Sequence, residues 1–315
     1  MTLFLLVPMA VEAQPRISRV GILIPELSRP QSQAIKGLTD ELEKLGYEER
    51  KNIFLETRNA KGNRAALQPA AQELINQKVD VIFTTGTRAT EVAKSTTRDI
   101  PIIFIHPADP VALGLVKSIE GSNVNLTGVA GLALQMTEPR MGILKEILPE
   151  LQRVHVFYDS NNKFSRANFA LAESAATKTA LQVVGHGIKS ANELRATAGI
   201  SQYRQGDALF HVPDDLVESE ADFIIEMARQ KKLPTMFHEE LWAIRGAMAA
   251  YGPSYYQMGR QAARFVDSIL KGKKAETLPI ERASKFDLVI NYRTSRFIGL
   301  TISPATLKKA DKVIR

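Results

Sequence analysis

Four short stretches of this chain carry residue types that can do chemistry, and each ends an apolar run. DVIFTTGT supplies Thr85, Gly86 and Thr87; FIHPADPV supplies His106 and Asp109; FHVPDD and FHEE supply His211, Asp214, His238 and Glu239. In the first, small side chains and a flexible backbone stand where a helix begins. Free N–H groups and the positive end of the helix dipole suit such a corner to an anion, above all a carboxylate. The pattern is neither a G-x-x-x-x-G-K-[ST] phosphate loop nor a G-x-G-x-x-G fingerprint. Simple capping by Thr85 or Thr87 would use the same residues, and Arg88 is expected to face solvent.

In FIHPADPV, Asp109 before Pro110 is a helix-start signal, with the aspartate as N-cap and the proline at the first helical position. His106 occupies the last strand position, where its ring can meet a ligand or serve as a satisfied structural histidine. FYDSNN adds Tyr158 and Asp159 to the second group of corners. A carboxylate opposite an anion-binding corner is what a zwitterion such as an amino acid requires, and nearby rings suit a planar solute. Asp214 precedes a helical run and can equally cap it.

Catalytic patterns are missing. His106, His211 and His238 belong to no H-x-x-x-H or H-E-x-x-H motif, and there is no G-x-S-x-G elbow. Asp214-Asp215 and Glu239-Glu240 are adjacent in sequence, so their side chains diverge. The histidine spacing gives little support to a three-histidine metal site. With no cysteine there are no disulfides, thiol nucleophiles or thiolate zinc sites. No cofactor is expected.

These corners need elements to place them. Arg19 onward alternates short β-branched runs with helical patterns. RVGILI is a strand; QSQAIKGLTDELEKLG repeats Ile35, Leu38, Leu42 and Leu45 on one helix face and stops at Gly46. The rhythm runs through NIFLETRN, RAALQPAAQELINQ, DVIFTTG, TRATEVAKSTT and IPIIFIH, then breaks at SNVNLTGVAGL and resumes. Such alternation predicts α/β lobes with doubly wound parallel sheets. At 315 residues there is room for two lobes of about 150 residues. Ligands sit outside the carboxyl ends of parallel strands, so two facing lobes place the site in the cleft between them.

The net charge of +7 is scattered, with no cluster denser than Lys231-Lys232 or Lys271, Lys273 and Lys274. A nucleic-acid partner is therefore not expected. TLFLLVPMA is an apolar run of signal-peptide length, followed by Val11-Glu12-Ala13, which puts the expected cleavage before Gln14. No positive charge precedes the run, so residues 1–13 read as a truncated export signal. The mature protein is expected to have no membrane span and to reside in the periplasm, without a cysteine-linked lipid.

In ordered combination, GLTDELEKLGYEERKNIFLETRNAKGN, VDVIFTTGT, IPIIFIHPADPVALGLVKSI, NVNLTGV, RGAMAAYGPSYYQMGRQAARFVDSILKGKKAETLPIE and KFDLVINYRTSRFIGLTI carry a resemblance over nearly all the mature chain. The chain resembles the ABC-transporter substrate-binding protein family that includes tryptophan- and tyrosine-binding members, with a type I periplasmic-binding-protein fold. It departs from the family in its incomplete export signal and in His106, where the family often has a smaller residue. The resemblance implies a non-catalytic monomer that captures a small solute and delivers it to a membrane permease by hinge closure. It implies three crossovers near Thr127, Met248 and Leu278, with Gly128 also in the hinge. The N-terminal lobe would then be 14–127 and 249–277, and the C-terminal lobe 128–248 and 278–315. Ser28, Thr85, Gly86, Thr87, His106 and Asp109 would line the first wall. Tyr158, His211, Asp214, His238 and Glu239 would close from the second, with Tyr251 near a crossover. A ligand-sensing domain for a membrane receptor would need the same cleft. An enzyme would need a nucleophile or metal pattern that the sequence lacks, and a transcription repressor a DNA-binding motif before Arg19.

Overall fold

The β-branched runs become strands buried on both faces, as parallel sheets require. The computed structural model describes residues 17–106, 109–111, 113–120, 124–132 and 134–315, and of His106 only the backbone. The expected export signal lies outside these residues. The chain runs β1 (Ser18–Ile24), α1 (Arg29–Lys44), β2 (Ile53–Asn59), α2 (Leu67–Asn76), β3 (Val81–Thr85), α3 (Thr87–Thr96), β4 (Ile102–His106) and β5 (Leu126–Ala130). Next come α4 (Thr137–Ile147), β6 (Arg153–Asp159), α5 (Lys163–Lys178), β7 (Gln182–Ile188), α6 (Ala191–Ile200), β8 (Asp207–Phe210), α7 (Asp215–Ser219), α8 (Ala221–Gln230), β9 (Thr235–Phe237), α9 (Glu240–Arg245) and β10 (Ala249–Pro253). The chain ends with α10 (Tyr255–Leu270), β11 (Glu281–Arg282), β12 (Phe286–Asn291), α11 (Tyr292–Phe297), α12 (Pro304–Lys309) and β13 (Lys312–Ile314).

The strands form two sheets, ordered β2-β1-β3-β4-β5-β11 and β7-β6-β8-β9-β10-β12-β13. Pairing is parallel except between β10 and β12. Both sheets begin with the same second-first-third order. Each therefore has a switch point, β1/β3 in one and β6/β8 in the other, where a crevice opens beyond the strand ends.

Each sheet has a core on both faces. Along β3, Ile82 packs with Leu23 and Phe104 on one side, while Phe83 packs with Ile103 and Met258 on the other. On α1, Ala34, Leu38 and Leu42 are buried at helical spacing, and α10 lies against them. The close crossing depends on Gly37 and Gly259. A Cβ at either would lie 2.0 Å from a facing backbone oxygen, Tyr256 O or Ala34 O. Burying Met258, Phe265 and Val266 against the first sheet contributes about 1.5–3 kcal/mol per side chain. A helix that follows β10 of the second sheet is thereby held on the first.

Sheet membership moves the crossovers a few residues beyond the expected positions. Thr127 and Gly128 lie inside β5, and Leu278 precedes β11, which still pairs with β5. Thr127 Oγ1 donates to Pro279 O at 2.9 Å, fastening these two segments together. Met248 is buried in the second core just before β10. The chain changes sheets between Ala130 and Thr137, between Pro253 and Tyr255, and between Arg282 and Phe286. The helix expected after Asp109 also differs. The described residues of 109–120 form turns and bends, and Gly114 takes a φ of +68° one turn after the aspartate. Asp109 Oδ1 accepts the Val111 N–H at 2.9 Å, so the aspartate caps a turn.

Candidate functional site

The carboxyl ends of both sheets open onto one cavity of about 330 Å³. Gln31 from α1, Gly86 and Thr87 at the start of α3, Asp109, Leu113 and Tyr255 at the start of α10 form one wall. The opposite wall includes Asn162, Phe164 and Asn168 around α5, and Asp214, Asp215, Glu218, His238 and Glu239 beyond β8 and β9. Two larger cavities, about 700 and 500 Å³, open elsewhere, around Lys273 and Lys274 and around Lys231 and Lys232. The first switch-point loops do not reach either, and the strand ends converge on the smaller one.

The first wall is built by a strand-to-helix corner. Gly86 takes a φ of +81°, a conformation few other residues adopt cheaply, and this turns the chain from β3 into α3. Thr87 then starts α3, so the N-terminal, positive end of the helix dipole lies beside the cavity. Thr85 is fully buried at the end of β3, and its hydroxyl has no hydrogen-bond partner among the described residues. Ser28 lies at the N-cap of α1 with its hydroxyl on Gln31, and Gln31 rather than Ser28 reaches the cavity. Arg88 turns to Glu91 at 3.5 Å. The side chain of His106 lies outside the described residues.

The second wall is acidic. Asp214, Asp215, Glu218 and Glu239 lie on it, with Asp109 opposite, and no lysine or arginine is among the described residues that line the cavity. Asp214 spends both oxygens on structure: Oδ1 accepts Val217 N–H at 3.0 Å and Oδ2 accepts Asp159 N–H at 2.8 Å. It caps α7 and ties β6 to that cap. Burial pushes the Glu239 carboxyl up to about 7, against the opposing effect of a hydrogen bond from the Tyr255 phenol. Burial also raises Glu218 well above the usual carboxylate range, reinforced by the like charges of Glu239 and Asp215. A third of the Glu218 side chain, 33%, nevertheless reaches the open cleft. An arriving cation would find carboxylates whose repulsion it relieves.

His238 stands between these acids and the core. Its Nε2 lies 3.5 Å from Glu218 and 3.6 Å from Glu239, and its Nδ1 lies 3.1 Å from His211 Nδ1. A neutral His238 that presents Nε2–H to the carboxylates accepts at Nδ1, so His211 is the donor of that pair. His211 is held neutral by burial and by the nearby Arg140 charge, which bring it down to about 3. It packs on Phe237 behind His238 and does not line the cavity.

Two expected ligands point elsewhere. Tyr158 stacks on Phe169, ring centroids 4.3 Å apart, and Tyr251 packs near Phe286 at 6.0 Å beside α4. Strand alternation turns each onto a helix-covered face. Gly86, Thr87, Asp109, Asp214, His238 and Glu239 are the expected residues that meet at the cavity. Sequence reasoning missed Gln31, Asn162, Phe164, Asn168, Glu218 and Tyr255. The doublet Tyr255-Tyr256 at a helix start was the available signal for the last.

The family model described as ABC transporter substrate binding protein matches residues 20–314. A tyrosine-binding protein of Clostridioides difficile (strain R20291) is 28% identical over 269 residues, covering 85% of this chain and 77% of that protein. A crystal structure of a conserved domain protein from Vibrio cholerae O1 biovar eltor is 29% identical with a TM-score of 0.77, covering 95% of this chain and 100% of that one. A Streptococcus pneumonia ABC domain in complex with L-Trp shares the fold at 23% identity, TM-score 0.77, with 95% and 100% coverage.

Proposed function

Because this chain belongs to the ABC transporter substrate-binding protein family, we propose that it captures a small amino acid or related aminated acid in the cleft between its two sheets. The observation that carries the reading is the pairing of opposite walls. The start of α3 offers N–H groups to a carboxylate, and the facing acids offer charge to an ammonium. Phe164, 55% exposed and lining the cavity, gives a ring on which an aromatic side chain would stack. Tyrosine and tryptophan binding in the similar proteins are consistent with such a solute.

The mechanism is closure. Among the described residues, direct polar links across the cleft include the Tyr255 phenol on Glu239, Gln135 Nε2 to Asp109 Oδ2 at 3.5 Å and Arg29 to Glu240 at 3.7 Å. A solute held by both walls binds the closed arrangement better than the open one and shifts the equilibrium toward it. Three chain passages between the sheets act as the hinge. The loaded protein then delivers its solute to a membrane permease outside the cytoplasm, with no catalytic step.

A thermal-shift panel of amino acids, aromatic carboxylates, small organic acids and sugars tests this. A solute at 100 times its Kd should add about 2.7 kcal/mol of stability. Stabilisation by amino acids that is lost in Glu239→Gln supports the reading; stabilisation by sugars alone overturns it.

A further inference from the structure

We propose that His211, His238 and Glu218 hold a divalent transition-metal ion of the zinc, cobalt or nickel class at the inner end of the cleft, with its remaining coordination positions open to the cavity. One ring nitrogen of each histidine and one Glu218 carboxylate oxygen lie within 4.8 Å of one another. Three neighbouring corners deliver them: His211 follows β8, Glu218 lies on α7, and His238 follows β9. These are ends of packed elements, which hold ligand geometry better than long loops do.

Burial gives the site an inside and an outside. His211 and His238 are 6% and 3% exposed, whereas Glu218 lines the cavity and reaches solvent. The two imidazoles direct Nδ1 at each other across 3.1 Å, and His211 Nε2 has no hydrogen-bond partner among the described residues. Among the described residues, hydrogen bonding of the His211 ring thus rests on the single proton it shares with His238. A metal ion that replaces this proton would bind both rings to one centre, with Glu239 beside the His238 Nε2–H as an outer carboxylate.

The charge balance and donor set agree with a cation of this class. Arg140 donates from Nη2 to the His211 carbonyl at 3.0 Å, and its charge opposes a metal. Against it stand the cavity's five carboxylates. Two imidazoles and one carboxylate suit zinc, cobalt and nickel, while calcium and magnesium favour all-oxygen sets. The site needs no particular solute, so it stands or falls apart from the amino-acid reading.

The test is Co²⁺ titration of the tag-free, chelator-treated full chain, followed by visible absorbance and calorimetry. One ion per chain is expected, with affinity reduced at least tenfold in His238→Ala and separately in Glu218→Gln. His186→Gln, in a second histidine pair of the β7-to-β13 sheet (His155 Nδ1 to His186 Nε2, 2.9 Å) that does not line the cavity, should bind as the unaltered protein does. Circular dichroism checks that each variant is folded, and Glu218, being partly exposed, supplies the substitution least damaging to the core. No Co²⁺ binding, binding retained in both cleft variants, or binding lost in His186→Gln would overturn the proposal.

Discussion

The second sheet holds two histidine pairs, one within the β6–β7 ladder and one beyond the carboxyl ends of β8 and β9, and they are finished differently. In the ladder, His155 Nδ1 meets His186 Nε2 at 2.9 Å and His155 Nε2 meets Asp207 at 3.0 Å. Asp207 also accepts from Nε and Nη2 of Arg153, at 2.7 and 2.6 Å, and from the Arg204 N–H at 2.7 Å. That network is closed and has a cation inside it. At the carboxyl ends, His211 and His238 face Glu218 and Glu239, and no lysine or arginine is among the described residues that line the cavity. Similar residues therefore serve stability in the ladder, and leave negative charge waiting for a partner at the cleft.

Asp207→Asn removes one member of a buried ion pair, so urea unfolding should show a loss of about 3–5 kcal/mol. Solute affinity should stay unchanged, because the cluster does not line the cavity. Next, Glu239→Gln should weaken solute binding by about 10- to 100-fold, the worth of one charged hydrogen bond at about 1.5–3 kcal/mol. Calorimetry measures it.

pH separates the two clusters by sign. The Glu239 carboxyl stands at about 7 when folded, against 4.5 ordinarily. It contributes stability that is complete below about 4.5 and is lost as pH rises through 7, on the order of 3 kcal/mol. The solute-free protein should therefore lose stability relative to Glu239→Gln between these values, while its affinity for an ammonium rises. Burial works against Asp207, but Arg153, the Arg204 N–H and His155 hold it below its ordinary 3.8, so its contribution is present above that value and lost as pH falls. Melting curves of both variants across the range resolve the two trends.

Smaller effects sharpen the outline of the site. Phe164→Ala should cost an aromatic solute about 2- to 12-fold in affinity, the 0.5–1.5 kcal/mol worth of a ring pair, and an aliphatic one less. Tyr251→Phe should change solute binding by less than about twofold, since that ring packs toward Phe286. A large loss there would move the site.

The sequence made the architecture legible because strands buried on both faces read as short apolar runs, and α1 shows its face through Leu38 and Leu42. The corners after β3, β8 and β9 were legible for the same reason, since each polar residue follows an apolar run directly. Side-chain direction was not. Tyr158 and Tyr251 are one residue of strand phase from the cleft, and register is set by the partners of β6 and β10. Tyr255 reaches the cavity only because α10 returns to the first sheet, a long-range contact that the Tyr255-Tyr256 doublet marks as a helix start without placing it at the cleft. Glu218 was hidden on a five-residue helix whose cap, Asp214, drew attention instead.

The most direct measurement is calorimetric titration at pH 8 with one aromatic amino acid, its deaminated acid and its decarboxylated amine. The account predicts that the zwitterion binds at least tenfold more tightly than either analogue, because each analogue loses one wall of the cleft. Equal affinity for the amino acid and the deaminated acid would contradict it, since the acidic wall would then have no part in recognition.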